Sequence, residues 1–252
     1  MYNKKKQKNV YILPNLFTSA NFFCGIFSMI LSLRGDFYHA AWAVMAAMLF
    51  DFLDGQVARL TKGTSQFGVE YDSLSDMVSF GIAPTIMMYL LALKDLNRIG
   101  IAIAFVYSVS CALRLARFNV STQSSEKKQF TGMPTPAACG LLASLIILQS
   151  EYAFVDFVPM VPVIMLALAF LMVSNIKYPT LSSMNLKKEK PFLYLAGIVI
   201  ATSVFIFHTE LFIFVVFFSY AAYGVIRETH YYTLGRRYLR NLELERTRTN
   251  EK

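Results

Sequence analysis

Asp51, Asp54, Asp72 and Asp76 stand in a chain that is otherwise strongly apolar. Asp51, Asp54, Gly55, Ala58 and Arg59 fall at i, i+3, i+4, i+7 and i+8, so they share one helix face. Asp72 and Asp76 are four apart and share a face as well. An aspartate near a bilayer centre costs about 2.5–3.5 kcal/mol on insertion scales, and four close together also repel one another. Divalent cations offset both penalties. Hard carboxylate oxygens suit Mg²⁺ or Mn²⁺ rather than Zn²⁺, and two such ions about 3.5–4 Å apart form a clamp for phosphoryl chemistry. Gly55 and Ala58 leave room for a substrate to approach the backbone, and Arg59 is placed to pair with a phosphate or carboxylate.

These residues need two helices that fold back on each other. The connector 61–71, with Gly63 and Gly68, allows it. The setting is a membrane. Of 252 residues 56% are hydrophobic and only 16% charged, against about 25% charged in a soluble domain. Eight apolar stretches are long enough or nearly long enough to span: 15–33, 39–60, 72–93, 99–118, 135–150, 157–175, 192–207 and 210–226. His208-Thr209-Glu210 joins the last two as a tight helical hairpin. The expected fold is all-α, a polytopic transmembrane bundle with a six-helix catalytic core and that C-terminal hairpin. It forms one domain over 1–226, followed by a basic tail over 227–252.

Eight spans put both termini on one side. With that side cytoplasmic, all but Arg34, Lys94 and Arg98 of the 24 basic residues lie inside, which satisfies the positive-inside rule. The net charge of +8 is thus an orientation signal, and no nucleic-acid partner is expected. The three cysteines, Cys24, Cys111 and Cys139, have neither metal-ligand nor disulfide spacing. The basic N-terminus runs into a spanning segment without a small-x-small cleavage site, so no cleaved signal is expected.

The run from Asp51 to Asp76 matches D-x2-D-G-x2-A-R-x8-G-x3-D-x3-D at every fixed position, a chance of roughly 10⁻¹⁰ per start site on average composition. It closely resembles the CDP-alcohol phosphotransferase family. That resemblance implies metal binding by Asp51, Asp54 and Asp72, and for Asp76 both a metal contact and the general-base role. It implies a CDP-lipid site at Gly55, Ala58, Arg59, Ser65 and Gly68. Pro14-Asn15-Leu16-Phe17-Thr18 matches the family's Pro-Asn-x-x-Thr stretch and adds Asn15 and Thr18. The donor implied is a CDP-linked lipid such as CDP-diacylglycerol, with Mg²⁺ or Mn²⁺ as cofactor and a homodimer as the assembly.

The segments Arg114-Leu-Ala-Arg117-Phe118-Asn119 and Gly132-Met133-Pro134-Thr135-Pro136 resemble those of the family's serine-using branch. Serine carries a carboxylate that Arg114 or Arg117 would hold, with Ser75, Ser79 and Asn119 supplying hydrogen bonds. Arginines at a span end also snorkel to the interface, and a basic site suits glycerol 3-phosphate or another polyol equally. Two other classes compete. An ion transporter would spread its carboxylates through the bilayer depth, whereas these cluster near one cytoplasmic edge. A silent lipid-binding scaffold would have no need of an intact signature. The expected location is a bacterial or archaeal cell membrane, with the site facing the cytoplasm.

Overall fold

The computed structural model describes residues 2–61, 65–122, 130–152, 156–178 and 205–250, with side chains over 14–60, 65–121, 131–152, 156–178 and 205–229. Seven helical elements lie in these residues: α1 Tyr2–Leu33, α2 Phe37–Thr61, α3 over 66–93, α4 Asn97–Thr122, α5 Thr135–Glu151, α6 Val161–Val173 and α7 Thr209–Asn250. The expected span at 192–207 lies outside the described residues except for its last three, which are helical. Helices are thus seen at seven of the eight expected stretches among the described residues. Among the described residues, four uninterrupted runs are long and apolar enough to cross a membrane: Pro14–Leu33, Phe37–Leu60, Gln66–Ser121 and Thr209–Thr229.

The third run is really two helices. At 1.5 Å per residue its 56 residues would reach about 84 Å, nearly three bilayer cores. A 3₁₀ turn at Lys94–Leu96 and a positive φ of 51° at Asn97 reverse the chain. α4 then packs back along α3. The turn is tight, because a Cβ on Gly100 would sit 2.0 Å from the Leu93 carbonyl oxygen.

α1 and α2 are joined as tightly. Asp36 N–H donates to the Leu31 carbonyl and Gly35 N–H to that of Ser32, each at 3.0 Å, with Gly35 at φ +79°. This is a Schellman ending, and the left-handed position favours glycine. Asp36 then caps α2 by accepting from the His39 backbone N–H at 3.2 Å. Small residues let the two helices lie close: Ala40, Ala41, Val44 and Ala47 on α2 are fully buried, with Ser28 and Ser32 of α1. In lipid, where apolar surface alone drives no association, such close backbone packing holds helices together.

α5 is the central helix. Ala138, Cys139, Leu142, Ala143 and Ile147 are all fully buried, and α2 and α7 pack against it. Its sequence is apolar all round, as a helix surrounded by protein requires. The outward faces are apolar too: Phe23, Phe27, Phe105 and Phe170 are exposed, which fits a lipid surround rather than water.

α3 is not a uniform α-helix. A π segment at Met77–Ile82 follows Asp76 directly. Pro84 accounts for it, since proline has no N–H for the Phe80 carbonyl. The Tyr107 hydroxyl donates to that carbonyl instead, at 3.5 Å. At the other end, α7 runs for 42 residues from the last apolar stretch into the basic tail.

Candidate active site

The aspartates sit where α1, α2 and α3 meet. α3 begins at Gln66, earlier than the expected 72, because Ser65 caps it: the Gly68 N–H donates to Ser65 Oγ at 3.0 Å. Gly68 therefore belongs to the first helical turn and not to a loose connector; Gly63 lies outside the described residues. With α3 started early, Asp72 and Asp76 fall on a face turned towards α2.

Asp51, Asp72 and Asp76 bring one carboxylate oxygen each to within 4.8 Å of one another. Asp54 stands beside this trio, within side-chain hydrogen-bonding range of Asp72, while Asp51 is in the same range of Asp76. The four carboxylates thus form two cross-helix pairs. Asp54 and Asp76 are buried, 5% and 8% exposed. Asp72 Oδ1 is buried and has no hydrogen-bond partner among the described residues. Like charges packed this closely, with an acceptor left unpaired, fit a hard divalent cation.

Next to the carboxylates lies a cleft lined by Asn15, Thr18, Gly55, Ala58, Ser65 and Gly68 together with Asp54 and Asp72. Pro14 and Val69 complete the lining. Every residue expected at the CDP-lipid site except Arg59 is present. Arg59 is exposed, its Nε donating to the Gly55 carbonyl at 3.0 Å, which leaves it on the same helix turn as the cleft. A Cβ on Gly55 would meet nothing within 4 Å, so this glycine opens onto the cleft rather than onto a neighbour. Gly68 is different, since a Cβ there would lie 3.1 Å from Ser65 Oγ and 3.4 Å from Asn15 Oδ1.

The residues expected to bind serine do not form one set. Ser75 Oγ donates to the Thr18 carbonyl at 3.0 Å, and Ser79 Oγ to the Asn21 carbonyl at 2.9 Å. Each hydroxyl has one donor, so both are committed to tying α3 to α1. Arg117 is likewise engaged with backbone. Its guanidinium donates to the carbonyls of Thr131 at 2.8 Å, Val173 at 2.9 Å, and Met172 and Ser174 at 3.1 Å. It caps the C-terminal end of α6, where unpaired carbonyls favour a cation. Gly132 at φ +82° makes room for it, because a Cβ there would sit 2.5 Å from Arg117 Nη2. Asn119 donates to Ser73 Oγ at 2.8 Å.

Arg114 remains near the aspartates. It is only 7% exposed and lies within electrostatic reach of Asp76 and Asp51. Its Nη1 donates to Thr135 Oγ1 at 3.3 Å, and the guanidinium lies 5.3 Å from the Phe118 ring centre.

One residue at the site was missed from sequence. Asn21 is fully buried and its Nδ2 donates to Asp76 Oδ1 at 3.1 Å. An amide one turn after Thr18 inside an apolar span was the available signal.

Residues 11–176, which hold all four aspartates and the cleft, match the family described as CDP-alcohol phosphatidyltransferase. The chain belongs to that family. A Helicobacter pylori relative named CDP-diacylglycerol–serine O-phosphatidyltransferase is 39% identical over 225 residues, covering 86% of this chain and 91% of its own. Archaetidylserine synthase of Methanothermobacter thermautotrophicus is 38% identical, covering 73% of this chain and 77% of its own. A Bacillus subtilis CDP-diacylglycerol–serine O-phosphatidyltransferase is 36% identical, over 66% of this chain and 89% of its own. Among solved structures, Mycobacterium tuberculosis phosphatidylinositol phosphate synthase with CDP-DAG bound is similar in fold. Its TM-score is 0.50 at 22% identity, over 65% of this chain and 80% of that one.

Proposed function

We propose that this protein is a phosphatidylserine synthase, an integral membrane enzyme that transfers the phosphatidyl group of CDP-diacylglycerol to the hydroxyl of L-serine and releases CMP. The observation that carries this reading is the shared acceptor in the relatives' names. Bacterial and archaeal relatives at 36–39% identity are all named for serine, while the lipid in the name varies. The chain spans 91% of the Helicobacter relative, so the likeness is not confined to the signature.

The cleft between α1, α2 and α3 suits the CDP group of the donor, with Asn15, Thr18 and Ser65 as polar contacts and Gly55 admitting the pyrophosphate close to the backbone. Arg59 at its edge can turn from the Gly55 carbonyl to a phosphate. Asp51, Asp54, Asp72 and Asp76 would hold two divalent ions, Mg²⁺ or Mn²⁺. Such ions, when bound, neutralise the pyrophosphate and the charge that gathers on the leaving CMP. Asp76 accepts the proton of the serine hydroxyl as the oxygen attacks the phosphorus that bears diacylglycerol. The bond from that phosphorus to the CMP oxygen breaks, and CMP leaves with the electron pair. A serine hydroxyl is a weak acid, so the proton moves late and the placement of Asp76 matters more than matched acidity. Arg114 is the side chain suited to the serine carboxylate, since it is buried and within electrostatic reach of Asp76 and Asp51. The site faces the cytoplasm of a prokaryotic cell, both termini lie on that side, and the enzyme works as a homodimer.

The test is CMP release by purified protein with CDP-diacylglycerol and Mn²⁺ or Mg²⁺, given serine, glycerol 3-phosphate or inositol phosphate. Turnover with serine alone is expected. Release only with a phosphorylated polyol would overturn the acceptor, and release with none would overturn the activity.

A further inference from the structure

Two rungs connect α1 to the aspartates. On the first, Thr18 Oγ1 donates to Asp54 Oδ2 at 2.9 Å, and the Thr18 carbonyl accepts from Ser75 at 3.0 Å. On the second, Asn21 Nδ2 donates to Asp76 Oδ1 at 3.1 Å, and the Asn21 carbonyl accepts from Ser79 at 2.9 Å. The rungs register because three residues on α1 and four on α3 each advance about one turn. Gly25 closes the gap beyond them, since a Cβ there would lie 2.5 Å from Ser79 Oγ.

Packing alone does not explain an amide at position 21. The side chain is fully buried, and Asn21 Oδ1 has no partner among the described residues. A leucine would fill a similar volume without leaving a buried acceptor unpaired. The nitrogen must face Asp76, because an amide oxygen there would meet another acceptor. What the amide supplies is a donor fixed on one oxygen of one carboxylate.

We infer that Asn21 is a positioning residue for the transfer step. It holds Asp76 Oδ1, so that the second carboxylate oxygen is presented to the acceptor hydroxyl without searching. Ser79 acts one step further back, holding the α1 backbone that carries Asn21. The inference rests on the reading of Asp76 as the base in the proposed function. It gives Ser79 a supporting role in place of substrate contact.

The test compares wild type, Asn21→Leu, Ser79→Ala and the double variant as purified full chains, with CDP-diacylglycerol, Mn²⁺ and serine. Asn21→Leu should lower kcat by about 100-fold, the scale of a small misplacement of a reacting group. Its KM values for both substrates and its equilibrium binding of CDP-diacylglycerol should stay within about threefold, since the ground-state contacts remain. Ser79→Ala should lower kcat several-fold in wild type and add nothing in the Asn21→Leu background, as expected of residues acting in series. If Asn21→Leu does not stay folded, Asn21→Ala and the Ser79→Ala pair carry the same comparison. Unchanged kcat in the Asn21 variants, a loss that follows CDP-diacylglycerol binding, or independent losses at the two positions would overturn the inference alone. A wild type that releases no CMP with serine would overturn the proposed function and this inference with it.

Discussion

Gly55 and Arg117 use their surroundings in opposite ways. Gly55 opens onto the cleft with no protein atom within 4 Å of a Cβ. Gly55→Ala should therefore fold well and gain up to ~1 kcal/mol of helix propensity. It should still lose about 10–100-fold in kcat/KM for CDP-diacylglycerol, because the methyl occupies substrate space. A melting curve set beside the kinetics checks both halves. Arg117 is bound to backbone carbonyls at the end of α6. Arg117→Ala should lower stability by about 1–3 kcal/mol by leaving those carbonyls unpaired, with the serine KM unmoved. Arg114→Ala should do the reverse, raising the serine KM at least ~10-fold, the scale of losing a charged contact to a carboxylate. An Arg117→Ala enzyme with a selectively raised serine KM would return that residue to the acceptor site. Asp76→Asn should abolish turnover while CDP-diacylglycerol still binds; residual activity would remove Asp76 as base.

On the scale of elements, α3 carries most of the site and its irregularity has a cause. Pro84 leaves the Phe80 carbonyl without its helical donor, and the π segment Met77–Ile82 takes up the mismatch. That segment sets how Ser79, just after Asp76, meets α1. Pro84→Ala restores an N–H and lets the segment relax to ordinary α-helix. Relaxation turns the two halves of α3 against each other by up to about one residue, or ~100°. Turnover should fall by at least about tenfold from that misplacement, with little loss of thermal stability. Full activity would show that the π geometry does not matter to the site.

For the whole molecule, the orientation and the metal are the properties to measure. The turn at 94–97 and the end of α4 lie at opposite ends of that helix. A cysteine at Asn97 should react with a membrane-impermeant maleimide added from outside intact cells, whereas one at Ser121 should react only after lysis. Labelling of Ser121→Cys from outside would reverse the orientation. Chelation of divalent ions should abolish activity, and Mn²⁺ should restore it. Mn²⁺ at about 100 times its Kd should also stabilise the fold by roughly 2.7 kcal/mol, seen as a raised melting temperature.

The aspartate cluster, the membrane setting and the family were legible because each is local in sequence. A helix face follows from spacing of three and four, and a span from about 20 apolar residues in a row. The residues expected at the CDP-lipid site lie within two short motifs, and the fold brings all of them except Arg59 to one cleft. The acceptor residues were not legible in that way. Ser75, Ser79, Arg117 and Asn119 are polar in an apolar chain, and sequence cannot say whether a buried donor faces a substrate or a backbone carbonyl. Only the packing of α1 on α3 and of α4 on α6 assigned Ser75, Ser79 and Arg117 to carbonyls. The same packing brought Asn21 against Asp76 across 55 residues of chain. Hydrogen bonds between distant segments depend on which helices meet and at what register, and that is decided by the fold as a whole.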